Sequence, residues 1–337
     1  MERIKLGMTG LEVNKLGFGG IPIQRVDEKQ AVETVKYALE RGVDFIDTSR
    51  VYTTSEQRIG MALKQTNKKA VLATKSFDRT SDGIQEDVAI SLRQLQRDYI
   101  DLYQCHAVKD SHTYHQIISP GGALEGLRKA KQAGWIGHIG ITSHSLDLLN
   151  RVLDDGLFET VMLCFSILEP AAQEKIIPKA IQKGIGVIAM KPFSGGVLDN
   201  AKLALKFVLS QPGILVIPGV ERKELVDENW KIFKASPDLN EKEWKEIEAI
   251  RGTHDKSFCR RCDYCQPCPE EIPISLVLGF RGIAKTHGLS ALRGGPFHEA
   301  VVKAEQCSEC RECTTRCPYE LPIPELIQDT LRWLKTQ

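Results

Sequence analysis

Eight short apolar runs, rich in β-branched residues, recur through the first 250 residues of the chain. They are Lys15–Gly19, Val43–Asp47, Ala70–Lys75, Ile100–Cys105, Ile136–Ile141, Thr160–Cys164, Gly186–Met190 and Leu215–Pro218. Between them lie segments with helical spacing, among them Glu28–Glu40, Gly83–Gln96, Ala123–Ala133, Leu146–Asp154 and Gln173–Lys183. Strands this continuously apolar are covered on both faces, which makes them parallel and joined by helical crossovers. Eight such units predict an α/β fold of the closed (β/α)8 type, the TIM barrel, whose usual length is about 250 residues. A doubly wound open sheet is the competing arrangement. It is weakened because no strand–helix turn carries G-x-G-x-x-G, and Gly17-Phe18-Gly19-Gly20 does not supply it. The barrel is expected over residues 1–252, with a smaller second unit over 253–337. A turn at Gly7–Gly10 precedes it, and Arg251–Ser257 reads as a polar linker. Apart from the βα alternation, no internal repeat is expected.

A hydrophobic content of 42% and a charged content of 26% over 337 residues are those of an ordinary globular protein. The formal net charge of +1 gives no electrostatic reason to expect nucleic acid or an anionic membrane as a partner. No apolar run approaches the ~20 residues of a membrane span. Met1-Glu2-Arg3-Ile4-Lys5 lacks the apolar core of a signal peptide, so a cytoplasmic location is expected.

The second unit holds eight of the ten cysteines. One run is Cys259-x2-Cys262-x2-Cys265-x2-Cys268-Pro269, and the other is Cys307-x2-Cys310-x2-Cys313-x3-Cys317-Pro318. In C-x2-C-x2-C-x3-C-P, three thiolates hold one iron–sulfur cluster and the fourth cysteine ligates the other cluster. The second run fits that spacing and the first is one residue short. The partition is then Cys259, Cys262, Cys265 with Cys317, and Cys307, Cys310, Cys313 with Cys268. Zinc would leave a cysteine of each run and both Cys-Pro steps unexplained. A disulfide framework suits short secreted chains. Helical spacing over Ile274–His287 and Phe297–Glu305 makes this a helix-padded, ferredoxin-like domain carrying two [4Fe–4S] clusters.

In a (β/α)8 barrel, chemistry gathers at the carboxyl ends of the strands. Those ends carry Asp47, then Tyr52 five residues on, Lys75 and His106, in the contexts Phe45-Ile-Asp47-Thr-Ser-Arg-Val-Tyr52, Leu72-Ala-Thr-Lys75 and Asp101-Leu-Tyr-Gln-Cys-His106. Taken singly, Asp47 and Lys75 read as a structural ion pair and His106 as a core histidine. As four groups ending successive strands, they can converge in one pocket. Cys105 should point away from that pocket and Cys164 should pack. Phe77, Tyr114 and Phe193 give the pocket aromatic surface, and His112 and His115 belong to a solvated or substrate-facing loop.

These segments, together with Gly122-Ala-Leu-Glu-Gly-Leu127, Gly134-Trp-Ile-Gly-His-Ile-Gly-Ile141 and Ile217-Pro-Gly219…Glu228-Asn229, resemble the aldo-keto reductase family over roughly residues 1–250. The appended cysteines resemble its iron–sulfur branch. The resemblance implies an NAD(P)H-dependent oxidoreductase acting on a small carbonyl or alcohol. Tyr52 would be the proton donor, with its pKa lowered by Lys75. Asp47 would orient Lys75, and His106 would donate to the carbonyl oxygen. It also implies cofactor contacts at Thr142, Ser143, Met190, Lys191, Gly195, Gly196, Gly219, Glu221, Arg222, Glu228 and Asn229. The family's carboxamide-binding Gln is Met162 here, and its stacking aromatic is Met190. Gly219, Val220 and Leu225 replace its 2′-phosphate clamp, so the cofactor leans toward NAD(H). The other reading is an electron-transfer protein in which the barrel is a docking scaffold for a redox partner.

Overall fold

The computed structural model describes residues 2–235, 237–292 and 294–337. The chain opens with an antiparallel hairpin, β1 (Arg3–Lys5) and β2 (Glu12–Asn14). Parallel strands follow: β3 (Phe18–Gly19), β4 (Phe45–Asp47), β5 (Val71–Ser76), β6 (Ile100–Cys105), β7 (Ile136–Thr142), β8 (Thr160–Cys164), β9 (Gly186–Met190) and β10 (Ile214–Ile217). Each pairs with the next in chain order. The ring closes where Leu16 bridges Val216 and Gly19 bridges Gly219, with Gly17 N donating to Val216 O at 2.8 Å. The closed barrel stands, and the open sheet does not.

Period-two alternation sorts each strand between two cores. Phe45, Ala73, Leu102, Met162, Ile188 and Leu215 fill the barrel interior. Ile46, Leu72, Tyr103, Val161, Val187 and Val216 face the surrounding helices. Ile4, Leu6 and Val13 of the hairpin join the interior core and plug its amino-terminal end. The plug fits closely. Gly7 has a φ of +59°, and a Cβ there would lie 2.4 Å from Gly184 O, so only glycine makes this turn. With the lower end sealed, the open end of the barrel is the carboxyl end of the strands.

The segment expected as a linker is largely helical. One helix runs Glu241–His254, started by a capping box in which Asn240 and Glu243 satisfy each other's backbone. A polar surface helix with few apolar residues is easily read as a linker. Beyond it lies a separate core containing Ile272, Ile274, Val277, Ala300, Ile323 and Ile327. The helix expected over Ile274–His287 is broken at Gly279 into Ile274–Leu278 and Phe280–His287, and that expected over Phe297–Glu305 spans Gly295–Ala304.

This second unit contains an internal repeat, against expectation. Cys268-Pro-Glu-Glu-Ile-Pro-Ile274 matches Cys317-Pro-Tyr-Glu-Leu-Pro-Ile323. Each copy leads into a helix, Ile274–Leu278 or Ile323–Leu334, behind a proline of nearly the same conformation (Pro273 φ −77°, ψ 76°; Pro322 φ −75°, ψ 72°). Left-handed residues recur in step: Arg261 with Glu309, Asp263 with Arg311, and Glu271 with Glu320. No helix among the described residues is long and apolar enough to cross a membrane.

Candidate active site

The inward parity that buries Phe45 and Ala73 also turns Asp47 and Lys75 inward at the top of β4 and β5. Lys75 is 1% exposed and Asp47 3% exposed. Lys75 Nζ donates to Asp47 Oδ2 at 2.6 Å and to Thr48 O at 2.7 Å. It also lies 5.0 Å from the Tyr52 ring centroid. The loop carrying Tyr52 is pinned from below. Thr48 Oγ1 donates to Ser55 Oγ at 2.8 Å, Ser55 Oγ to Gly20 O at 2.9 Å, and Arg50 N to Lys75 O at 3.0 Å. His106 follows β6, stacked on Phe77 at 4.4 Å and edge-on to Tyr52 at 5.9 Å. Its Nδ1 lies 3.0 Å from Ser49 Oγ. The four residues expected together are together.

Burial works against the Lys75 charge, but Asp47 and the Tyr52 oxygen outweigh it and raise the pKa, so the ammonium persists. Tyr52 differs from expectation. Burial raises its pKa by more than Lys75 lowers it, leaving the phenol above its ordinary value and protonated. Burial, then Lys75, Arg79 and Lys191, holds the His106 imidazole neutral, well below the usual histidine range.

Cys105 faces the helices as expected, its thiol pushed up by burial to about 12. Cys164 shares the inward parity of Met162, so it is not simply packing against the outer helices. Arg261 Nη2 lies 4.0 Å from its sulfur. Tyr114 is fully buried within the helix Ser111–Ile118, with its hydroxyl donating to Asp155 at 2.8 Å, and gives the pocket no surface. His115 lies in that helix too, its Nε2 2.9 Å from Arg151. Ser49, His144, Glu169 and Arg261 were not singled out by sequence. Ser49 and His144 each sit within two residues of a recognised position, which was the available signal.

The expected cofactor positions form a rim over β7, β9 and β10. Thr142 and Ser143 are buried, and their hydroxyls bond the loop after β6: Thr142 Oγ1 accepts from Ala107 N at 2.6 Å and Ser143 Oγ donates to Val108 O at 2.6 Å. Met190 closes β9, and Lys191 follows it in a left-handed conformation, with Nζ 3.2 Å from His144 Nε2. Gly195 and Gly196 have φ values of 71° and 87°. Gly219 packs against Pro22 so closely that a Cβ would lie 2.8 Å from it. The Glu221 carboxylate is paired with Arg25 at 2.8 Å and lies 4.0 Å from Arg222. Glu228 is exposed and Asn229 buried, both in the helix Lys223–Lys234.

All ten cysteines are unpaired. Among the described residues, no three His, Cys, Asp or Glu side chains converge on a single metal ion. The cysteines fall into two neighbourhoods. Cys268, Cys307, Cys310 and Cys313 line one small cavity together with Ile272 and Pro324. Burial pushes Cys262 up to about 11, helped by the nearby Cys317, and Cys265 up to about 12, helped by Cys259. The chain crossing groups Cys317 with the first run and Cys268 with the second.

The open end of the closed (β/α)8 barrel thus holds a buried Asp–Lys pair under a tyrosine and a histidine. The aldo/keto reductase family model matches residues 15–203, and the chain belongs to that family of oxidoreductases. It is 34% identical over 219 residues to L-galactose dehydrogenase of Arabidopsis thaliana, covering 59% of this chain and 68% of that protein. It is 27% identical over 316 residues to a probable aldo-keto reductase 1 of Glycine max, covering 74% of this chain and 89% of that one. Among solved structures, aldo-keto reductase AKR11C1 of Bacillus halodurans in its holo form superposes with a TM-score of 0.64 at 27% identity, covering 74% of this chain and 96% of that one. An aldo-keto reductase of Klebsiella pneumoniae in complex with NADPH shares the fold, with a TM-score of 0.64 at 21% identity, covering 74% and 95%.

Proposed function

We propose that the chain interconverts a small carbonyl compound and its alcohol with NAD(P)H, using Tyr52 as proton donor. The observation that carries this reading is the Lys75 ammonium, buried between the Asp47 carboxylate and the Tyr52 phenol. When bound, the nicotinamide supplies the hydride. Tyr52 keeps its proton in the resting site and gives it up to the alkoxide, which is far more basic than a phenolate. The ammonium beside it stabilises the phenolate left behind. The Ser49 hydroxyl has one proton and two acceptors within reach, Lys75 O and His106 Nδ1, each at 3.0 Å. The proposed chemistry needs the neutral imidazole's proton on Nε2, where it can donate to a carbonyl oxygen, and so needs Ser49 to turn its proton to Nδ1 when substrate is bound. Neighbouring structures with NADPH and the left-handed glycines after β9 support a dinucleotide on the rim.

The barrel is read as residues 1–252 and the cysteine unit, 253–337, as a ferredoxin-like module of the family's iron–sulfur branch. Cys259, Cys262, Cys265 and Cys317 would hold one [4Fe–4S] cluster, and Cys307, Cys310, Cys313 and Cys268 the other. The cysteine-lined cavity and the repeated backbone support this assignment. Such clusters carry single electrons, or act as structural staples, and suit a reducing cytoplasm.

The test is anaerobic turnover on a panel of aldehydes and ketones with NADH and NADPH. Tyr52→Phe should lower kcat about 10²–10⁴-fold on any active substrate while leaving dinucleotide affinity unchanged. Wild-type turnover in that variant would remove Tyr52 as the acid. No turnover by the wild type on any pair would favour the scaffold reading.

A further inference from the structure

Two cations reach the open end of the barrel, and one of them holds a carboxylate. Arg261, from inside the first cysteine run, places Nη2 at 2.8 and 2.9 Å from the two oxygens of Glu169. Its Nε is buried and has no partner. Cys164, 4.0 Å from the same guanidinium, pairs in register with Met190, so Lys191 stands one residue beyond on the adjacent strand. Among the described residues, Lys191 has no carboxylate within ion-pair distance. Its ammonium donates to His144 Nε2 at 3.2 Å. Accepting that bond leaves the proton of a neutral His144 on Nδ1, where it is a second donor. Thr142, two residues before His144, accepts from Ala107 N beside His106 at 2.6 Å, so the group adjoins the reacting centre.

We propose that Lys191, His144 and Arg261 form a subsite for an oxyanion, completed by the cysteine-bearing tail. The anion is a carboxylate on the substrate or a phosphate of the dinucleotide; both present oxygens to the same donors. The proposal rests on reading the barrel's open end as the ligand site. The physical reason is charge balance. Glu169 is fully committed to Arg261, and a partly buried ammonium beside a neutral imidazole is costly until an anion arrives. Arg261 can turn Nε toward such an anion without leaving Glu169, because a guanidinium carries five donors in a rigid fork.

The experiment is calorimetric titration of the anaerobically prepared full chain with acetate and with inorganic phosphate. The wild type should take up one of them at a single site. Lys191→Met and Arg261→Gln, each checked for unchanged iron and sulfide content, should bind it ~10–100-fold more weakly, the worth of a hydrogen bond to a charged group. Lys191→Met leaves the Arg261–Glu169 pair intact, so a purely structural role for that pair predicts no effect there. Repeating the titration at saturating NADPH separates the sources. Competition assigns the subsite to a cofactor phosphate, and simultaneous binding assigns it to a substrate carboxylate. Uptake of neither anion, or wild-type affinity in Lys191→Met, would overturn the subsite. Wild-type affinity in a folded Arg261→Gln would remove the tail's part. Turnover is not read, so failure here is distinct from failure of the Tyr52 mechanism.

Discussion

Lys75→Met tests whether the buried ion pair serves chemistry, stability or both. Both partners are almost fully buried, so solvent screens the pair little. Removing the ammonium strands the Asp47 carboxylate, whose Oδ1 already lacks a partner, in the barrel interior. Breaking one side of a buried pair costs ~3–5 kcal/mol. For a barrel of ~250 residues that is about 6–20 °C in Tm. Asp47→Asn combined with Lys75→Met removes the stranded charge, and replacing a buried pair by neutral groups is often close to neutral. The double variant should therefore regain most of the lost Tm. Turnover should stay down ~10²–10⁴-fold in both, because Tyr52 has lost the cation that stabilises its phenolate. Thermal unfolding followed by circular dichroism, beside anaerobic steady-state rates, reads both quantities. A double variant no more stable than Lys75→Met would show that Lys75 does not compensate the Asp47 charge. Full turnover in Lys75→Met would remove it from the mechanism.

His106 and His144 both have pKa values held well below the usual histidine range, chiefly by burial. The unfolded chain then binds more protons than the fold below pH ~6.5, so stability should fall as pH drops through that value, and His144→Asn should flatten the slope in urea titrations at pH 5–7. Arg25 neutralises Glu221 on the cofactor rim, so Arg25→Ala should weaken NADPH binding relative to NADH; an unchanged ratio of dissociation constants would mean that Glu221 does not meet the 2′ position. Anaerobic protein should carry about eight irons and eight sulfides per chain. Cys317→Ala should lower both counts and make the region beyond residue 255 protease-sensitive while the barrel persists; zinc in place of iron would end the cluster reading.

The barrel was legible because parallel strands buried on both faces leave continuous apolar runs, and because β4, β5 and β6 end in polar residues that apolar packing does not explain. The pKa of Tyr52 was not legible. Its direction depends on whether burial or the Lys75 ammonium wins, and the loop over Arg50 and Ser55 that buries Tyr52 leaves no periodic signature. Tyr114 misled because the loop after β6 folds back as a helix and turns its ring onto Phe158. Arg261 was invisible for another reason. It lies between two cysteines whose spacing explains that segment fully, and its contact with Glu169 spans 92 residues of chain.

The first cysteine run is one residue shorter than the second, and the fold shows where that difference falls. Between Cys313 and Cys317 the chain makes a turn of helix, Glu312–Arg316. Between Cys265 and Cys268 it does not, and Gln266 bonds the backbone of Cys268 and Ile272 through its own side chain. The difference is spent before the fourth cysteine. After it the halves run in register: a left-handed glutamate three residues on (Glu271, Glu320), a proline five residues on, and a helix starting at an isoleucine. Each fourth cysteine therefore meets its following helix in the same way. Cys268 reaches the cavity of the second run despite the shorter spacing. One residue fewer at that point shortens the approach to the fourth cysteine without changing where it is delivered, which supports the crossed assignment proposed above.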